Sequence, residues 1–88
     1  MVKVFIPTPM RDLTGGLAET EVPGGSLRKL IHSLDEQFPG MAERLIVDDR
    51  LAPGLAVSID GEVSTRELIT RVSSDAVVHF VAAIAGGV

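Results

Sequence analysis

One stretch of the chain repeats apolar side chains at a single helical spacing: Leu27, Leu30, Ile31, Leu34 and Phe38 fall at i, i+3, i+4, i+7 and i+11. That places them in one stripe down an α-helix, with Arg28, Lys29, His32, Asp35 and Glu36 on the opposite side. Ser26 stands where an N-cap hydroxyl accepts from the first turn, and Pro39-Gly40 ends the element by removing a donor and permitting a reversal. A helix with one apolar stripe has to bury it against a second layer. In 88 residues there is room for one core only, so the rest of the chain must supply that layer.

The flanking segments read as strands. Val2-Lys3-Val4-Phe5-Ile6 is rich in β-branched residues and is closed by Pro7 and Pro9, which cannot donate to a ladder. Leu13-Thr14-Gly15-Gly16 carries turn chemistry, and Leu17 to Val22 follows as a half-exposed second strand. After the helix a short helical turn is expected at Met41–Leu45, then a polar stretch Asp48-Asp49-Arg50 and a turn at Ala52-Pro53-Gly54. Leu55–Ile59 is a third strand, and Asp60-Gly61 is a tight-turn signal into a short fourth at Glu62-Val63. Ser64 and Glu67 have the spacing of a capping box, which predicts one helical turn. Ala76 to Ala83 is apolar on both faces, as expected of a strand in the middle of a sheet. The order predicts an α+β fold of the β-grasp, or ubiquitin-like, kind: a mixed sheet of four or five strands on one main helix, first and last strands adjacent.

Composition removes several functions. There is no cysteine, which excludes disulfides, thiolate nucleophiles and thiolate metal sites. Three Phe with no Tyr or Trp argue against base stacking, and a formal charge of −4 argues against binding a phosphate backbone. The longest apolar stretch, residues 76–85, contains His79 and is too short to span a bilayer. Proline breaks the apolar run at residues 1–7, so it does not read as a signal peptide. A cytoplasmic protein with no nucleic-acid or membrane partner is the expectation. His32 and His79 have no evident third ligand, so no metal is expected; His32 reads as a solvated helix residue and His79 as a residue of a buried strand.

The domain is read as residues 1–85 and a flexible tail as 86–88, where Gly86-Gly87 precedes Val88. Two adjacent glycines lack β-carbons and thread a narrow channel that other residues would block, which suits a main-chain carboxyl that another protein must reach.

With the Leu13-Thr14-Gly15-Gly16 turn, Gly25-Ser26-Leu27 opening the helix, Phe38-Pro39-Gly40 ending it, Ile59-Asp60-Gly61 and the closing Ala83-Ile84-Ala85-Gly86-Gly87, the chain resembles the MoaD/ThiS-type ubiquitin-like sulfur carriers. Residues 6–16 and Gly40-Met41-Ala42-Glu43-Arg44-Leu45 look closest to the CysO-like carriers of cysteine biosynthesis. The resemblance implies a carrier rather than an enzyme, with no catalytic residue and no cofactor bound. ATP is used by an adenylyltransferase partner of the ubiquitin-activating type, which activates the carboxyl of Gly87. A sulfur source then yields a thiocarboxylate, and a sulfur-accepting enzyme, such as a pyridoxal-phosphate-dependent cysteine synthase, consumes it. Gly86 serves tail threading. Since Gly87 is in a peptide bond to Val88, a peptidase removing Val88 is implied as a processing step. Alternatives are a MoaD-like donor for molybdopterin synthesis, a modifier forming isopeptide bonds, and a plain interaction module.

Docking is expected on the sheet face away from the helix, beside the tail. Either Val77, His79 and Val81 or Val78, Phe80 and Ala82 lie there; Phe80, Val81 and Arg11 are the candidate contacts. Asp48-Asp49 and Glu19 with Glu21 read as solvated surface that would also suit a basic patch on a partner.

Overall fold

A computed structural model describes residues 1–64 and 68–82. Strand β1 covers Val2–Phe5 and pairs antiparallel with β2, Glu19–Val22, with Val2 opposite Val22 and Phe5 opposite Glu19. Pairing starts at Glu19 rather than Leu17 because the preceding backbone bonds locally. Gly16 N–H donates to the Arg11 carbonyl at 2.8 Å and Leu17 N–H to the Thr14 carbonyl at 3.4 Å. The buried Thr14 hydroxyl lies 3.1 Å from the Arg11 carbonyl and 2.9 Å from that of Leu17, so the loop satisfies its own polar groups.

β3, Gly25–Ser26, leads straight into α1, Leu27–Gln37. The Ser26 hydroxyl accepts from Lys29 N–H at 3.1 Å, as the capping pattern predicts. Leu27, Leu30, Ile31 and Leu34 are fully buried, and half-buried Phe38 packs on the same core. Gly40 then takes φ 103°, a left-handed value that glycine adopts without strain, and α2 runs Met41–Leu45. Asp35, on the side of the helix opposite the apolar stripe, has a structural task. Its Oδ1 accepts from Gly40 N–H at 3.1 Å and Ala42 N–H at 3.0 Å, closing the open end of α2 from the last turns of α1.

The stretch read as a polar loop is a hairpin: β4, Ile46–Val47, and β5, Arg50–Leu51, are joined by Asp48 (φ 54°) and Asp49 (φ 62°). Aspartate tolerates the left-handed region better than most residues, so the turn forms without glycine. β6, Leu55–Ile59, turns through Asp60 (φ 52°) and Gly61 (φ 89°) into β7, Glu62–Ser64. The helical turn expected from Ser64 to Glu67 falls on 65–67, outside the described residues. β8, Arg71–Val72, pairs antiparallel with β3, and Gly24 lies against the turn beyond it. A β-carbon on Gly24 would meet the Val72 carbonyl oxygen at 2.9 Å and the Ser74 backbone at 3.0 Å.

β9, Val77–Ala82, completes a five-stranded sheet in the order β2-β1-β9-β6-β7. β9 runs parallel to β1 and antiparallel to β6, so first and last strands are neighbours in the middle, as expected of a β-grasp. The core lies between α1 and one face of this sheet, filled by Val2, Val4, Val22, Val57, Val78 and Phe80 against the helix stripe.

Candidate functional site

The candidate site is the outer face of the sheet along β9, the strand that precedes the tail in sequence. Alternation divides β9 between two surroundings. Val78 and Phe80 point to the helix and are 0 % and 4 % exposed, whereas Val81 is 37 % exposed and His79 is exposed outright. This settles the register: Val77, His79 and Val81 form the outer row. Two expectations are corrected by it. Phe80 lies in the core rather than beside Val81 on a docking surface, because adjacent strand residues face opposite ways. His79 is exposed rather than buried, because a central strand here is covered on one side only.

Registry across the sheet builds the rest of the face. Glu19, Phe5, His79, Ser58 and Val63 follow one another across β2, β1, β9, β6 and β7. The next row carries Glu21, Lys3 and Val77, and Val81 lies opposite Ala56. The Phe5 and His79 rings stack with centroids 4.3 Å apart and planes within 1°, giving the middle of the face a flat, rigid surface. Val63, 66 % exposed, extends the apolar strip. Glu19 and Glu21 border it on β2, with Lys3 Nζ 3.6 Å from Glu19 in an exposed pair of little energetic weight. The face is an apolar strip with an acidic margin, suited to a partner with a complementary apolar surface and basic groups at the rim.

The strand is anchored where it begins. Asp60 Oδ1 accepts from Val77 N–H at 2.9 Å while Asp60 N–H donates to the Val77 carbonyl at 2.9 Å. The turn thus fixes the register of β9, and through it the point from which the chain continues toward the tail. Gly86, Gly87 and Val88 lie outside the described residues, as does the 85/86 boundary between domain and tail.

Arg11 is not a free docking cation. It is partly buried, and its Nε donates to the Ile6 carbonyl at 3.1 Å. The neighbouring Asp12 is gripped by Arg44, whose Nη1 and Nη2 donate to its two carboxylate oxygens at 3.1 and 3.0 Å; Nη1 also reaches the Pro9 carbonyl at 3.2 Å. The hydrogen bonds from Arg44 hold the Asp12 carboxyl below its usual range. This clamp ties the loop after β1 to α2, across a sequence separation that no local pattern signals. Asp49 likewise meets Arg28 of α1 at 3.3 Å, while Asp48 stays on the surface.

Among the described residues no three His, Asp or Glu side chains are grouped to hold a metal, and no helix is long and apolar enough to cross a membrane. The geometry supports protein docking on the outer face along β9.

Comparison with known proteins agrees with the fold. The ThiS family matches residues 4–87. A chain in the crystal structure of the Amycolatopsis orientalis BexX/CysO complex is similar at 26% identity, covering 99% of this chain and 100% of its own, with TM-score 0.86. Mycobacterium tuberculosis CysO is similar at 25% identity, covering 96% of this chain and 100% of its own, with TM-score 0.84. Haloferax volcanii SAMP1 shares the fold, with TM-score 0.70 at 17% identity over 98% of both chains. No curated protein sequence matches the chain.

Proposed function

The chain belongs to the ThiS family, and from that premise we propose that it is a sulfur carrier whose working group is the main-chain carboxyl of Gly87, with a role in cysteine biosynthesis. The observation that carries the reading is the extent of the family match, which runs through Gly86-Gly87 to residue 87. The likeness to two CysO structures supports the pathway. It is a ubiquitin-like carrier rather than an enzyme.

The chemistry is consistent with a chain that has no cysteine. A carboxylate is a poor electrophile until one oxygen becomes part of a leaving group. The Gly87 carboxylate attacks the α-phosphorus of ATP on an adenylyltransferase of the ubiquitin-activating type, and pyrophosphate leaves. A hydrosulfide-equivalent nucleophile adds to the acyl carbonyl, AMP departs, and the thiol proton is lost to solvent. The resulting thiocarboxylate is a soft nucleophile. In the cysteine route it adds to an aminoacrylate held by a pyridoxal-phosphate-dependent enzyme. Gly86 lets the segment enter the activating site without a β-carbon in the way. The Gly87–Val88 bond has to be hydrolysed first, by a peptidase that releases Val88.

The outer sheet face supplies docking. Val81, Val63 and the Phe5–His79 stack offer the apolar contact, and Asp60 fixes where β9 leaves it. That one of the similar structures is of a complex supports a carrier that works by binding other proteins.

An N-terminally tagged chain recovered from host cells and run on a thiol-selective gel tests the proposal. A retarded band that disappears when Gly86 and Gly87 are deleted is the expected result. A ladder of covalent conjugates without a retarded monomer would identify a protein modifier instead, and feeding of molybdopterin synthesis rather than cysteine synthesis in a knockout would reassign the pathway.

A further inference from the structure

Strand β2 ends the sheet, so one side of its backbone is unpaired by β1. Ile6 N–H donates to the Ala18 carbonyl at 2.7 Å, and the register continues with Phe5 opposite Glu19. The alternation of an antiparallel ladder therefore turns the peptide groups of Thr20 and Val22 toward β1 and those of Glu19 and Glu21 outward. An edge of this kind is a template for another strand.

The edge is occupied from within the chain. Gln37, the last residue of α1, donates from Nε2 to the outward carbonyl of Glu21 at 3.1 Å, and its Oε1 accepts from the Thr20 hydroxyl at 2.9 Å. One side-chain amide thus bonds two successive residues of the strand and takes an acceptor that an incoming strand would need. Charge adds a second obstacle. A second copy pairing antiparallel about Thr20 would set Glu19 opposite Glu21 of the other chain, and Glu21 opposite its Glu19. All four side chains would be exposed, with Lys3, one cation between Glu19 and Glu21 of its own chain, ion-paired to Glu19 at 3.6 Å. Like charges directly opposite one another disfavour pairing.

We infer that β2 is guarded against strand addition by a second copy of this chain, with Gln37 as a hydrogen-bonded latch on the edge and Glu19 and Glu21 as a charge barrier. The guard disfavours self-pairing through this edge, and it stands on the geometry of the edge whatever the tail carries.

Sedimentation equilibrium at millimolar concentration tests it on the full chain and on two variants, Glu19→Gln/Glu21→Gln and the same pair with Gln37→Ala. The double variant keeps both Gln37 bonds and gains association modestly. The triple variant associates about tenfold or more above the native chain, with amide exchange slowed at Glu19 and Glu21. Placing Glu21→Pro instead of Glu21→Gln in the triple variant abolishes the gain, because that N–H faces outward and its loss leaves the pairing with β1 intact. Folded double and triple variants that stay as monomeric as the native chain would overturn the inference. So would a dimer that survives Glu21→Pro, or a native chain that already dimerises through β2.

Discussion

Phe80 and Val81 are neighbours in sequence and occupy different solvents. Phe80 faces α1 at 4 % exposure, packed among Val2, Val4 and the leucines of the helix, while Val81 faces outward at 37 % beside Ala56. Both are apolar residues of one central strand. The difference shows that in this fold the sheet's inner face does the work of stability, which leaves the outer face free to be selected for contact with other proteins.

The comparison breaks if the two positions respond alike. Phe80→Ala should cost about 3–5 kcal/mol of unfolding free energy in urea titration, whereas Val81→Ala should stay within about 0.5 kcal/mol. The reverse asymmetry should hold for binding. Val81→Glu, placing a carboxylate in an apolar contact, should weaken docking to the activating partner by about 1–3 kcal/mol, roughly tenfold or more, with the unfolding midpoint little changed; calorimetric titration checks this. Asp60→Ala belongs to both faces because it sets the register of β9. Loss of the Val77 acceptor and of a side chain tolerant of φ 52° should cost about 1–2 kcal/mol, visible as faster amide exchange at Val77, and Asp60→Gly should recover the part due to the turn.

The smallest effect concerns the Asp12–Arg44 clamp between the loop after β1 and α2. Because the folded carboxyl titrates below its ordinary value of 3.8, its contribution is complete above that value and is lost as pH falls through the lower folded value. The stability difference between the native chain and Asp12→Asn should accordingly be present at neutral pH and vanish in acid, by denaturation midpoints measured across the range.

What was legible in the sequence followed from periodicity and glycine. The stripe from Leu27 to Phe38, the Asp60-Gly61 turn and the central place of the last strand all carry local signals, and together they specify the β-grasp. Three features had none. Asp35 looks like a solvated helix residue until the chain reverses at Gly40 and brings the start of α2 to its carboxylate. The Asp48-Asp49 hairpin lacks the glycine that marks such turns. The exposure of His79 depends on strand register, which two adjacent apolar triplets leave undetermined. For the candidate site, Val77, His79 and Val81 were named from sequence as one of two registers, while Phe5 and Val63 join the same face only through the strand order.

The central claim is that the Gly87 carboxyl carries sulfur. Intact mass spectrometry of the protein recovered from its own host tests it most directly: the account predicts a chain ending at Gly87 with one carboxyl oxygen replaced by sulfur, and a chain that retains Val88 with no sulfur added, in cells actively using the pathway, would contradict it.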